Sequence, residues 1–411
     1  MRILVIVPPE RKDFYNYLKT DTENDYLLLW HETKKQLSKN KNYIPDFFSE
    51  TYYWNRFFTP AGLLKVIKPD KIIFFEIIDQ RQIALIVNAG KKSITTFYLE
   101  HGAAGSRETA IERFEVPGFM RKNKIPKLFK RITTSFFTVI QTKIFYYSNV
   151  SGFSSKGNRL KYWKLPFVML KDMPNKALHK LIFRERVPTW SIVFNQVNFQ
   201  QYQLYTGINE KEAIFTGIPF FDKYYSKQEN RNDGHIVYIE HPYLEENLVD
   251  WTEYHHKNIA LALHRFAKIN NRKIYIKLHP RSNKEIWKKY KIEGEFLSII
   301  QEGEFTNLFL TSQLILGYSS SLINGFLCAQ KNVVLLGWHP KPRIFGNDFS
   351  STGLCHCSLS VEDLNAKYQF WVDHNLTVLD TTAYTRYLKE YNYPFDGNAT
   401  DRVIWAICNM N

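Results

Sequence analysis

Short apolar runs rich in Ile, Val, Leu and aromatic residues recur along this chain, and stretches with helical periodicity separate them. No other feature constrains the fold as much. A strand that reads as a nearly continuous apolar run is buried on both faces, and the intervening helices are what cover it. In the first half the runs are 2–8 (RILVIVP), 26–31 (YLLLWH), 71–77 (KIIFFEI), 94–100 (ITTFYLE), 191–194 (SIVF) and 213–216 (AIFT). Helices are expected there over 60–67, 79–89 and 196–207. In the second half the runs are 235–240 (HIVYIE), 273–278 (KIYIKL), 297–300, 313–318 (QLILGY) and 333–337 (VVLLG). Helices are expected over 252–269, 284–290, 304–311, 321–329 and 400–409. Strand–helix alternation of this kind predicts α/β architecture with parallel sheets.

The rhythm breaks once, at "DKYYSKQENRNDG", residues 222–234, a polar and charged segment ending on Asp233-Gly234. Such a segment reads as a linker. It divides the chain into domains 1–222 and 235–411, each a Rossmann-like doubly wound sheet, and 411 residues are enough for two cores. The last helix is expected to pack back on the first domain. Ligands of such sheets bind beyond the carboxyl ends of the strands, so two of them facing a central cleft would place the site there.

The charge balance narrows the partners. A net charge of +15 and a pI near 9.3 attract anions: nucleic acid, anionic lipid, or an acidic substrate or polymer. No helix-turn-helix, zinc-finger or RNP-like aromatic motif supports nucleic acid. Four cysteines, Cys328, Cys355, Cys357 and Cys408, are too few and scattered for a disulfide framework. Cys355-His356-Cys357 fits no common zinc spacing, so reduced thiols and no metal are expected. The first apolar run is too short and too quickly followed by charge for a signal peptide, and no stretch reaches the length of a membrane span. A cytoplasmic protein is expected.

Three strand ends carry more chemistry than a turn needs. The run 94–100 ends on Glu100-His101-Gly102, with Gly105 close behind. Either titratable group can serve as a general base toward a hydroxyl, and the glycines let backbone approach a ligand. The run 273–278 ends on His279-Pro280-Arg281, with Lys277 just before. Pro280 fixes a backbone angle and so aims His279, which can donate to a leaving phosphate, while Arg281 can clamp an anion. The run 313–318 leads through Gly317-Tyr318 to Ser319, Ser320 and Ser321 at a helix start, where hydroxyls and free main-chain N–H groups would hold phosphate. "YIEHP" adds Glu240 and His241 at the end of the first strand of the second domain. The basic segment "RKNKIPKLFKR", 121–131, with Lys124, Lys127, Lys130 and Arg131, reads either as a solvated helix face or as a surface for anionic lipid or acceptor.

An acidic-x-Gly strand end in the first domain, followed by "KLHPR" and "YSSS" in the second, resembles the GT-B glycosyltransferases that use CMP-activated donors. Bacterial sialyltransferases and polysialyltransferases are the nearest of these. Capsule Kdo transferases and CDP-glycerol glycerophosphotransferases stand further off. The resemblance implies a metal-independent, cofactor-free inverting transfer of a sialic-acid- or Kdo-like sugar from a CMP-linked donor to an anionic glycan or glycolipid acceptor. It would serve capsule or lipooligosaccharide synthesis at the cytoplasmic face of the inner membrane. It also implies an acceptor-binding first domain, with Gly102 and Arg107 at the acceptor, and a nucleotide-binding second domain. Glu100 would be the base, His279 would assist the leaving CMP, and Ser319, Ser320 and Ser321 would bind its phosphate. His101 stands where the sialyltransferase pattern has a second carboxylate. "HG" at that place is closer to the glycerophosphotransferases, so the base is Glu100 or His101. CDP-polyol and UDP-sugar donors remain as alternatives.

Overall fold

The computed structural model describes residues 1–8, 11–30, 47–102, 124–148, 153–171, 174–225, 232–246, 250–289, 295–301, 303, 305–318, 320–338, 349–373 and 380–411. The chain forms two compact units. One comprises Met1–Gly102, Ala110–Phe220 and Ala399–Asn411, and the other Ala103–Thr109 and Phe221–Asn398.

The first unit is built on a seven-stranded, all-parallel sheet. Its strands are β1 (Arg2–Ile6), β2 (Asp25–Trp30), β3 (Glu50–Tyr53), β4 (Lys71–Phe74), β5 (Thr95–Leu99), β6 (Trp190–Val193) and β7 (Ala213–Phe215). They lie in the order β3-β2-β1-β4-β5-β6-β7. Alternate residues of one strand feed opposite cores. Leu4, Ile6, Ile72 and Phe74 join one cluster, and Ile3, Val5 and Ile73 join the other. This two-sided burial is why the strands read as unbroken apolar runs.

Local signals set the helix boundaries. Thr59 accepts a hydrogen bond from the Gly62 N–H and Pro60 opens the helix Pro60–Ile67. Asp79 and Gln82 form a capping box at the start of Gln80–Lys91. Asn195 accepts from the Asn198 N–H at 2.8 Å and starts Gln196–Thr206. That helix ends at Gly207, whose φ of +71° suits glycine. The helix Ala399–Asn409 belongs to this unit and adds Val403, Ala406 and Ile407 to its second core. Lys71, buried at the start of β4, donates to the carbonyls of Ile407 (2.8 Å), Cys408 (2.9 Å) and Met410 (2.9 Å). A cation there suits the partial negative charge of a helix C-terminus.

The second unit has six parallel strands: β8 (Ile236–Ile239), β9 (Ile274–Lys277), β10 (Leu297–Ile300), β11 (Leu314–Gly317), β12 (Val333–Leu336) and β13 (His356–Ser358). Their order is β10-β9-β8-β11-β12-β13. Each sheet therefore reverses direction once, between β1 and β4 and between β8 and β11, as doubly wound folds do. The polar run starting at Asp222 begins as a helical turn, Asp222–Tyr225. A Cβ on Gly325 would stand 2.7 Å from the Tyr224 ring, so this glycine lets that turn pack against the helix Leu322–Cys328.

Two strands had no counterpart in the sequence reading, β3 and β13. Both are short, polar edge strands, and β13 is made from the His356-Cys357 pair itself. His356 packs on Trp371, with centroids 4.5 Å apart. All four cysteines are free thiols. No described helix is long and apolar enough to cross a membrane.

Candidate active site

β5 delivers Glu100 to the carboxyl edge of the first sheet, and the side chain is almost fully buried. Its carboxylate accepts from the Tyr98 hydroxyl and from the His101 N–H, both at 3.1 Å. Burial pushes this carboxyl up to about 7, against hydrogen bonds from His101, Tyr98, Asn198 and Gly102 that favour the ionised form. Asn198, in the first turn of the helix that Asn195 caps, also donates to the Gly102 carbonyl at 2.8 Å. A cap at the end of β6 thus holds the strand end of β5. The His101 ring packs on Phe14 at 4.3 Å, and Arg11 lies over the other partner of that stack, its Cζ 3.7 Å from the Phe14 centroid.

Two further groups at this edge were not singled out in the sequence. Glu76 follows β4, where burial raises its carboxyl, the Arg11 charge opposes the rise and Asp79 adds to it. It was hidden inside an apolar run whose end periodicity does not mark. Tyr17 carries a buried hydroxyl that meets no hydrogen-bond partner among the described residues. Burial and the Glu100 charge raise its pKa. A Cβ on Gly102 would meet nothing within 4 Å, and its φ is not left-handed, so packing among the described residues does not call for glycine there.

In the second unit β8 ends on Glu240 and His241, and β9 ends on His279. Residues 279–282 form a turn closed by the Ser282 N–H donating to the His279 carbonyl at 3.0 Å, with Pro280 at its second position. Glu240 clamps the turn from one side. One of its oxygens, Oε2, accepts from the His279 N–H at 3.1 Å and from the Ser282 hydroxyl. Gln301 clamps it from the other, donating to the carbonyls of His279 (3.1 Å) and Ser282 (2.8 Å). Ser282 and Gln301 escaped the sequence reading, although a Ser two residues after Pro is a recognisable turn signal.

The Arg281 N–H donates to Nδ1 of His279 at 3.1 Å. A nitrogen that accepts carries no proton, so the neutral ring bears its proton on Nε2. The His241 ring lies nearly parallel to it, 6.2 Å away and inclined by 20°, and stacks on Tyr243 at 4.4 Å. Burial, with the Arg281 cation adding to it, pushes His241 down to about 4. Burial pushes Glu240 up to about 7, against the Ser282 and His279 hydrogen bonds.

The structure gathers Glu240, His241, Lys277 and His279 at neighbouring strand ends, but the cations are already engaged. Lys277 donates to the carbonyls of Leu278 (2.7 Å) and Gln301 (3.3 Å). Arg281 is exposed and pairs with Glu246 at 2.7 Å, and Pro280 is exposed beside it. The serine loop differs from the expectation of free N–H groups. The Leu322 N–H bonds to the Ser320 hydroxyl at 3.4 Å, and the N–H groups of Ile323 and Asn324 bond to the carbonyls of Ser320 and Ser321. The helix they start has only seven residues. Ser321 is exposed and its side chain makes no cap bond. Ser319, Arg107, Gly105, the 121–123 part of the basic segment and His339-Pro340 lie outside the described residues. Lys124, Lys127, Lys130 and Arg131 lie on the helix Lys124–Tyr147, with their side chains outside the description. Among the described residues no group of three or more His, Cys, Asp or Glu is gathered for a metal.

No protein-family profile matches the chain, and no curated protein matches it. Solved structures do. The wall teichoic acid polymerase TagF aligns with a TM-score of 0.53 and 11% identity over 99% of this chain and 88% of that one. The UDP-GlcNAc 2-epimerase of Methanocaldococcus jannaschii aligns with a TM-score of 0.50 and 12% identity over 99% of both chains. A putative UDP-N-acetylglucosamine 2-epimerase of Listeria monocytogenes aligns with a TM-score of 0.50 and 10% identity over 99% and 95%. At such identities the likeness is one of fold, and the fold is GT-B-like.

Proposed function

We propose that the chain is an inverting glycosyltransferase that moves a sialic-acid- or Kdo-like sugar from a CMP-linked donor to an anionic surface glycan, without a metal. The observation that carries the reading is the His279 turn. The Glu240 carboxylate accepts the His279 N–H, and the Ser282 N–H and the Gln301 side-chain amide donate to the His279 carbonyl, which together hold an imidazole at a strand end with its proton on Nε2. A strand end that only turned would need none of this.

In the proposed step an acceptor hydroxyl gives its proton to the Glu100 carboxylate, and its oxygen attacks the anomeric carbon. The bond from that carbon to the CMP phosphate oxygen breaks with inversion, and the departing phosphate takes the Nε2 hydrogen bond of His279. A carboxyl held near 7 is half ionised at neutral pH and so suited to accept a proton. Ser319, Ser320, Ser321 and Arg281 complete the donor side, and Gly102 and Arg107 the acceptor side. The positive charge of the chain draws both anionic substrates.

A second reading, transfer of a polyol phosphate from a CDP-linked donor with attack on phosphorus, rests on His101, an imidazole next to Glu100 and seated on Phe14. The test is a panel of CMP-, CDP- and UDP-linked donors, read for nucleotide release with and without acceptor. CMP release from a CMP-sugar that drops in His279→Ala supports the first reading. Release from CDP-polyols alone, or from UDP-sugars alone, overturns it.

A further inference from the structure

Among their described side chains, the helices Lys124–Tyr147 and Lys156–Lys171 present large apolar groups to water as well as to the core. Phe145, Tyr146, Tyr162 and Leu165 are buried. Phe136, Phe137, Ile140 and Ile144 are nevertheless exposed on the first helix, Phe137 to 86%. Leu160, Trp163 and Phe167 are exposed on the second, Phe167 to 63%. The spacings 136, 140, 144 and 160, 163, 167 each mark one stripe of a helix. The stripes join where Tyr147 stacks on Trp163, with centroids 4.9 Å apart.

The two helices are locked together beneath this surface. The Tyr146 hydroxyl donates to the Tyr162 carbonyl at 2.7 Å, and the Tyr162 hydroxyl donates to the Tyr146 carbonyl at 2.6 Å. Pro166 lies within the second helix and has no N–H to offer the Tyr162 carbonyl. Tyr146 supplies the missing donor. The apolar stripes are thus parts of one face rather than two independent helices.

The charge carried by this segment has one sign, although Glu185 accepts from Ser154 and Asn158 near the start of the second helix and Asp79 lies near Lys143 of the first. Residues 116–171 contain twelve Lys or Arg and no Asp or Glu. Exposed aromatics on a segment with twelve cations and no acid of its own fit a partner that is apolar inside and anionic outside. A second copy of the chain would bring the same positive charge to the contact.

We propose that this helix pair is a docking surface for an anionic lipid bilayer, with the aromatic stripe entering the acyl boundary and the Lys and Arg residues at the headgroups. The helices lie in the plane of the interface, since neither is apolar enough to span it. The proposal does not rest on the proposed reaction, because lipid binding needs no donor.

The full-length protein is to be sedimented with phosphatidylcholine vesicles and with phosphatidylglycerol–phosphatidylcholine vesicles. Binding to the anionic vesicles alone is expected, weakening as salt rises. The double substitution Phe136→Ser with Phe137→Ser should lower binding roughly tenfold or more, since each removes an exposed aromatic from the interface. Phe167→Ser should lower it too, and Phe370→Ser, an exposed aromatic of the other unit, should not. If the double variant fails to fold by circular dichroism, Phe167→Ser and the salt dependence decide. Wild type that ignores anionic vesicles, binding untouched by the Phe substitutions, or self-association abolished by the same substitutions would each overturn the proposal.

Discussion

Glu240 meets His279 through the main chain. Its carboxylate takes the His279 N–H at 3.1 Å, while the imidazole Nδ1 accepts from the Arg281 N–H. Glu240 is therefore a positioning residue in the proposed reaction. Glu240→Ala should free the turn and lower turnover roughly ten- to a hundredfold, with donor KM changing far less. Glu240→Gln can still accept the N–H and should recover most of the loss. Equal losses in the two variants would show that the carboxylate acts in some other way.

His279→Ala should lower nucleotide release on the order of a hundredfold or more while the melting temperature holds, because Pro280 and the Glu240–Ser282 bond remain. His339→Ala, at another His-Pro dipeptide of the sequence but without a serine run one strand–helix unit away, should do much less. Near-normal turnover in folded His279→Ala would remove the main support for the transferase reading.

The base is settled by pH. With Glu100 as base, the rate should rise with pH and level off above a midpoint near 7, where the carboxylate becomes the dominant form. Glu100→Gln should abolish both the rise and most of the activity. If His101→Ala does this instead, His101 is the base and the polyol-phosphate reading gains.

The same burial makes folding pH-dependent. Glu100 and Glu240 are each raised from 4.5 to about 7, so between those values the folded chain binds more protons than the unfolded chain. The stabilisation is complete below about 4.5 and is lost as pH rises through about 7. It amounts to at most on the order of 3 kcal/mol for each group. His241 and His256, pushed down by burial from 6.5 to about 4, work in the opposite direction over nearly the same range, so the urea midpoints of the wild type at pH 5 and pH 8 should differ little. Glu100→Gln removes one of the opposing contributions and should raise the midpoint at pH 8 relative to that at pH 5. No such relative change would mean that Glu100 is not buried as described.

Gly102→Ala should fold normally, since an added Cβ meets nothing within 4 Å. If acceptor passes close to this backbone, acceptor KM should rise while donor hydrolysis without acceptor stays unchanged. An unaltered acceptor KM would remove Gly102 from the acceptor site.

Eleven strands were legible in the sequence because their residues form apolar runs; nine are interior strands, and the edge strands β7 and β10 are apolar enough to show as well. β3 and β13 were not, because an edge strand needs apolar residues on only part of its surface. The strand-end residues Glu100, Glu240 and His279 were legible as titratable groups placed where a turn would suffice. Their partners were not. The Ser282 hydroxyl donates to the Glu240 carboxylate, and the Gln301 and Asn198 side chains donate to the carbonyls of His279 and Gly102; these bonds exist only once neighbouring strands come together, and no local pattern encodes that. The serine loop shows what composition alone leaves out. Its composition suggested free N–H groups, but those of Leu322, Ile323 and Asn324 bond within the turn.

The return of the helix Ala399–Asn409 to Lys71 sets a timetable for synthesis. The first sheet can leave the ribosome with its strands paired, but one face still lacks Val403, Ala406 and Ile407, and the Lys71 ammonium lacks its three carbonyls. The intervening stretch Phe221–Asn398 must be translated first. At about 5–20 residues per second that takes roughly ten to forty seconds. For that interval the nascent first unit shows an apolar surface to the crowd around it. A chaperone that holds nascent chains should therefore associate with this protein until the last helix is released, and a ribosome stalled before codon 399 should keep it bound.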